Sequence, residues 1–214
     1  MDAVCEPALQ FHYPRPDVLH LRLSQRDRYG GLVVTSPRAL TAVSNVFGED
    51  DAVRQAWIMA RTYTVGPRTA ARARELDLHP RGEEAGSAGA LVKVIEADAP
   101  SRPLLFLSGD RRRDALPDGL SHAGVAFDEL EVYRTEVRTG LRLPPDASWL
   151  AVFSPSGLDA LERSGVDLSA VRLAAIGPTT ARHLRDAGHA VAAVASEPTP
   201  QALAGTIRQT DGES

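Results

Sequence analysis

Cysteine is nearly absent: Cys5 is the only one in 214 residues. No internal disulfide and no multi-cysteine metal site can form, a usage that fits a reducing compartment. Long apolar runs are missing too, and none approaches the ~18 residues that span a bilayer. The opening MDAVCEPALQ has no basic stretch followed by an apolar one, so no secretory signal is visible. Excess charge of either sign is lacking. At a net charge of −4, general attraction to nucleic acid is not indicated, and a polyanionic ligand would need local donors. There is no Gly-x-Gly-x-x-Gly and no Walker loop, which leaves nucleotide binding unsupported. Ser36 and Ser154 are each followed by proline, not set in the Gly-x-Ser-x-Gly elbow of a serine hydrolase. The histidines (His12, His20, His79, His122, His183 and His189) show no metal-ligand spacing. These absences predict a cytosolic protein with no metal, no membrane partner and no nucleic-acid partner. The composition, 43% hydrophobic and 24% charged, is that of an ordinary globular chain, long enough for one large or two small domains.

What is present is a sentence written twice. The first copy reads YGGLVVTSPRAL (Tyr29–Leu40), then TYTVGPRTAARARELDL (Thr62–Leu78). The second reads SWLAVFSPSGLDAL (Ser148–Leu161), then RLAAIGPTTARHLRDAGHAV (Arg172–Val191). Each copy is an apolar run ending in Ser-Pro, then one ending in Gly-Pro-x-Thr-Ala. Recurrence about one hundred residues apart predicts two similar lobes rather than a solenoid, and two lobes create a cleft in which a ligand is expected.

Short apolar runs alternate with helical patterns. Strands are predicted at Gly31–Thr35, Thr62–Val65, Pro103–Leu107, Trp149–Phe153, Leu173–Ile176 and Ala190–Val194. Helices are predicted at Pro37–Val46, Pro67–Leu76, Ala88–Glu96, Arg111–His122, Pro155–Arg163, Pro178–Ala187 and Pro200–Arg208. This alternation argues for α/β architecture, with parallel sheets flanked by helices on both faces. Several helices carry Pro at the first position, where its missing N–H costs nothing. Gln10–Leu23 and Val125–Val137 read instead as extended, alternating connectors. The domain reading is a connector strand region at 1–23, a first inserted lobe at 24–122, a return connector at 123–137 and a terminal lobe at 138–214. Thr210–Ser214 reads as a polar tail.

The chemistry is expected at four strand-to-helix junctions: Thr35-Ser36-Pro37, Gly66-Pro67-Arg68-Thr69, Ser154-Pro155-Ser156 and Gly177-Pro178-Thr179-Thr180. Orphan amides and the helix dipole favour an anion there, and in open parallel sheets ligands gather at the carboxyl ends of strands. Plain N-capping is the other reading of the same hydroxyls. Arg111, Arg112 and Arg113 follow Ser108-Gly109-Asp110. At a helix start they oppose the dipole by up to ~1 kcal/mol each, so they read either as carboxylate holders or as a solvated face capped by Asp110. Arg38 and Arg68, just inside two other helix starts, raise the same alternatives. Tyr133, in ELEVYRTEV, is the candidate proton donor, since a phenol keeps its proton at neutral pH; half-buried packing is the alternative.

The ordered set of motifs resembles uroporphyrinogen-III synthase, especially its animal forms. It comprises YGGLVVTSPRA, TVGPRTA, SGDRRRDALP, VYRT, FSPSG (Phe153–Gly157), AAIGPTTARHL (Ala174–Leu184) and PTPQALAGTI (Pro198–Ile207). The resemblance runs from about Gln10 to Ile207. It implies a monomeric, cofactor-free enzyme of heme biosynthesis with two α/β lobes on a two-stranded connector. Its substrate would be hydroxymethylbilane, a linear tetrapyrrole with two carboxylate arms on every ring, closed to uroporphyrinogen III with ring D inverted and water lost. It implies substrate-binding roles for Thr35, Ser36, Thr69, Ser154, Ser156, Thr179 and Thr180, to which the reading of the helix starts adds Arg38, Gly66, Gly177 and Arg111, and a catalytic role for Tyr133 in hydroxyl departure. The family opens with a strand and helix before the first connector, whereas here Met1 leads almost directly into ALQFHYPRP. The terminal lobe is therefore expected to lack its first strand. A non-catalytic two-lobed polyanion binder and an inactive truncated form are the competing expectations.

Overall fold

The computed structural model describes residues 3–112 and 114–212. It contains a six-stranded and a three-stranded sheet with helices on their faces. Residues up to Gln10 and from Glu136 onward form one compact unit, and Phe11–Thr135 forms the other.

In the Phe11–Thr135 unit, β2 (Gly31–Val34) and β5 (Leu104–Gly109) lie at the centre of the larger sheet. Both are buried along their whole length. This is why they read as unbroken apolar runs, since a parallel strand covered on both faces has no polar side. β3 (Arg61–Thr64) pairs parallel with β2, and β6 (Phe127–Val137) pairs parallel with β5. β4 (His79–Arg81) follows β3, and β1 (Leu9–His12) lies beyond β6. One face packs on α2 (Pro37–Glu49), α3 (Asp51–Trp57), α4 (Pro67–Arg74) and α1 (Pro16–Ser24), through Leu19, Leu40, Val43, Trp57 and Ala73. The other packs on α5 (Ala88–Asp98) and α6 (Ala115–His122), through Leu91, Ile95, Leu116 and Leu120. Each buried Leu or Ile contributes about 1.5–3 kcal/mol.

In the other unit, β7 (Trp149–Val152), β8 (Arg172–Ala175) and β9 (Val191–Val194) form a parallel sheet in that order. One apolar cluster takes Leu158 and Leu161 from α7 (Pro155–Arg163) with Ala181 and Leu184 from α8 (Pro178–Asp186). The other takes Leu203 and Ile207 from α9 (Pro200–Gly212). The written repeat is thus a repeat of strand-to-helix turns: β2–α2 and β3–α4 in one unit, β7–α7 and β8–α8 in the other.

The extended reading of Gln10–Leu23 fails beyond His12, because Pro16–Ser24 is helical. Pro16 opens α1, Asp17 favours its first turn, and Leu19 and Leu23, four apart, share the buried face. α3 was not anticipated. Asp50 caps it by accepting the Val53 N–H at 3.0 Å, and Val53 and Trp57 bury the same stripe. β4 also escaped notice, since Pro80 in so short a run argues against any but an edge strand. α6 begins at Ala115 rather than Arg111, and α9 carries the expected polar tail on as helix to Gly212. Arg113, Glu213 and Ser214 lie outside the described residues.

Candidate functional site

All four junctions stand at carboxyl ends of parallel strands, and they fall into two kinds. At the Ser-Pro junctions the hydroxyls are already engaged. Ser36 accepts the Arg38 N–H at 3.3 Å as the cap of α2. Ser154 makes no cap bond and shares a 2.9 Å hydrogen bond with Ser156. Thr35 and Phe153, the residues just before these serines, are exposed.

The Gly-Pro junctions have no side-chain cap. Gly66 and Gly177 occupy the N-cap positions of α4 and α8 and bring no side-chain acceptor. An added Cβ at either would meet no atom within 4 Å, although Gly177 itself is buried and Gly66 half-buried. Gly66 also needs its freedom, since its φ is +80°; Gly177 is extended. The first backbone bonds of these helices close only at Ala70, to the Gly66 carbonyl, and at Ala181, to that of Gly177. The preceding amides, of Arg68, Thr69, Thr179 and Thr180, have no acceptor within their helices. Thr69 and Thr180 occupy the same place in the two copies and are 3% and 4% exposed, whereas Arg68 and Thr179 face solvent. The donors these turns leave without a helical partner are therefore backbone N–H groups, and the Thr69 and Thr180 side chains are buried.

Tyr133 sits at the carboxyl edge of the larger sheet, half-buried. The register between β5 and β6 shifts there: Ser108 faces Glu131, and Gly109 faces Tyr133. Phe11 meets the tyrosine edge-on, with ring centroids 6.5 Å apart at 70°, and the Arg38 guanidinium lies 3.9 Å over the Phe11 ring. Arg38 and Tyr133 thus share one aromatic neighbour. The Tyr29 and Tyr63 hydroxyls donate to Asp128 and Asp98. No hydrogen bond among the described residues uses the Tyr133 hydroxyl. Burial first, and then the Asp98 carboxylate, pushes the Tyr63 phenol up to about 12.

The arginines after Gly109 divide. Arg112 is tied to Glu129 of β6 and to Asp114, and the bond to Glu129, then that to Asp114, raises its guanidinium above the ordinary range. Arg111 is 61% exposed and approaches only the Asp110 carboxylate, at 3.9 Å, among its ion-pair contacts. Asp110 does not cap α6. Its N–H donates to the Tyr133 carbonyl at 3.1 Å, and its carboxylate accepts the Thr135 N–H at 2.9 Å. Sequence reasoning missed Phe11, Gly109 and Asp110 as parts of this site. Only Gly109, a glycine at a strand end, carried a usable sign, since such a residue marks a close approach.

A hollow of about 410 Å³ is lined by Leu141, Pro144, Ser164 and Val171, and another of about 590 Å³ by Ser24, Arg26, Arg28 and Ala56. Neither includes a junction residue. Among the described residues no group of three or more His, Cys, Asp or Glu could hold a metal ion, and no helix is long and apolar enough to cross a membrane.

The family model of uroporphyrinogen-III synthase HemD matches residues 1–205. The uroporphyrinogen-III synthase of Schizosaccharomyces pombe is 30% identical over 202 residues, covering 88% of this chain and 79% of that protein. That of Saccharomyces cerevisiae is 28% identical over 204 residues, covering 82% of this chain and 74% of its own length. The crystal structure of uroporphyrinogen-III synthetase from Helicobacter pylori superposes with a TM-score of 0.62 at 18% identity, over 94% of this chain and 90% of that one; at that identity the likeness speaks for the fold. With the family model matching nearly its whole length, this chain belongs to the uroporphyrinogen-III synthase HemD family.

Proposed function

We propose that this chain cyclises hydroxymethylbilane to uroporphyrinogen III, inverting ring D and releasing water, as a cofactor-free monomer of the cytoplasm. The observation that carries the reading is the pair of helix starts at Gly66 and Gly177, neither with a side-chain cap, in a chain of this family. A flexible polyacid needs many charge-assisted donors, each hydrogen bond contributing about 1.5–3 kcal/mol. A protein of net charge −4 must supply them locally. In the Phe11–Thr135 unit the first-turn amides of Arg68 and Thr69 bind carboxylate arms, aided by the Ser36 turn and by the exposed Arg111; in the other unit those of Thr179 and Thr180 do so, aided by the Ser154–Ser156 turn.

The substrate closes unaided to the uninverted isomer, so the catalyst's task is to hold the chain where the inverted closure wins. Tyr133 supplies the proton with which the terminal hydroxyl leaves as water. The pyrrole nitrogen sheds a proton as the azafulvene forms, which restores the phenol. The substituted carbon of ring D, in its electron-rich pyrrole, then attacks the azafulvene carbon, and the spiro species opens and recloses with that ring turned over. Incubation with freshly prepared hydroxymethylbilane, followed by separation of the type I and type III products, tests the reading. Type III is expected to dominate and to form faster than the spontaneous product; type I alone, at the spontaneous rate, contradicts it.

A further inference from the structure

We infer that Gly109, Asp110 and Phe11 are positioning residues that aim the Tyr133 hydroxyl, an inference that rests on the catalytic reading of Tyr133. The register across β5 and β6 advances two residues on β6, from Glu131 to Tyr133, for one on β5, from Ser108 to Gly109. Val132 is the extra residue. Such bulges re-aim side chains and recur beside active sites. Leu130 and Val132 are both core residues, and Tyr133, of the opposite parity, nevertheless packs against the same core. The bulge is what turns its ring.

Three contacts then fix that ring. Gly109 leaves room for it. A Cβ there would lie 2.3 Å from Cζ and 2.7 Å from both Cε2 and the hydroxyl oxygen of Tyr133, closer than atoms can pack. The phenol therefore lies across bare backbone, and any side chain at Gly109 displaces it. Asp110 clamps the bulged backbone from two sides, donating to the Tyr133 carbonyl at 3.1 Å and accepting from the Thr135 N–H at 2.9 Å. Phe11 stands edge-on to the ring. A misplacement of about 1 Å costs up to ~100-fold in rate, so these neighbours act on turnover through the hydroxyl without touching substrate.

A double-mutant cycle on the full chain tests this. Gly109→Ala is expected to lower kcat about tenfold or more in the native background, with KM unchanged within about twofold. In the Tyr133→Phe background, where no hydroxyl remains to be aimed, it is expected to change kcat by less than about twofold. Asp110→Ala is expected to lower kcat likewise, and Asp110→Asn, which keeps an acceptor for the Thr135 N–H, to recover most of it. Phe11→Leu supplies the same cycle should Gly109→Ala fail to fold. Equal losses in both backgrounds overturn the positioning role while leaving Tyr133 in the mechanism. Native turnover in Tyr133→Phe alone overturns the catalytic reading and this inference with it.

Discussion

Tyr133→Phe removes one oxygen and leaves the ring. The edge contact with Phe11, the seat over Gly109 and the packing against the core of the Phe11–Thr135 unit all survive. The lost hydroxyl takes part in no hydrogen bond of the described residues, so stability should stay within about 0.5 kcal/mol of native. Turnover should not. A positioned proton donor contributes about 10²–10⁴ in rate. The variant is expected to lose at least about tenfold in kcat, or ~1.4 kcal/mol of barrier. KM should be nearly unchanged, because proton donation is felt only in the transition state. The assay is the initial rate of type III formation, with spontaneous type I product as an internal clock and thermal melting as the control on fold. Turnover within about twofold of native, at unchanged thermal stability, would refute the assignment.

Other expectations separate structural from functional roles. Ser36 caps α2 and Ser154 caps nothing. Ser36→Ala should therefore cost about 1 kcal/mol and lower Tm by about 2–4 °C, whereas Ser154→Ala should leave Tm nearly unmoved; equal shifts would contradict the distinction. Arg112 is tied to Glu129 and Asp114 while Arg111 is exposed. Arg112→Met should reduce stability by up to about 1 kcal/mol with KM unchanged, and Arg111→Ala should raise KM with stability unchanged; the reverse pattern would assign substrate binding to Arg112. The Tyr63 phenol is raised in the fold to about 12. The folded state thus keeps a proton that the unfolded chain releases above about pH 10, and the stability this supplies is lost as pH climbs from about 10 to about 12. Denaturant titrations over that window should show the decline in the native chain and a shallower one in Tyr63→Phe; parallel curves would contradict it.

Much of the fold was legible because parallel strands covered on both faces leave apolar runs, and because Pro37, Pro67, Pro155, Pro178 and Pro200 each stand at the first position of a helix. α1 was obscured because Leu19 and Leu23 can be read as part of an alternating string until Pro16 is taken as a helix start. α3 was obscured because its anchor is a cap on Asp50 rather than an apolar run. The junctions were legible as turns, and the repeat made them conspicuous. The engagement of the serine hydroxyls was not, since it depends on which amide meets which hydroxyl. The seat of Tyr133 lay further out of reach. Phe11 and Asp110 are brought to it by strand pairing and a bulge, and contacts between residues remote in sequence leave no local mark beyond the strand-end glycine at Gly109.

The account turns on whether backbone amides at the strand ends bind the tetrapyrrole, and amide hydrogen exchange with and without uroporphyrinogen III measures this directly. Slowed exchange is expected in the first turns of α2, α4, α7 and α8, strongest at Arg68–Thr69 and Thr179–Thr180, where helix geometry leaves the amides unbonded. Unchanged exchange at those turns, or protection confined to segments such as Ser24–Arg28 around the hollow of the larger unit, would contradict it.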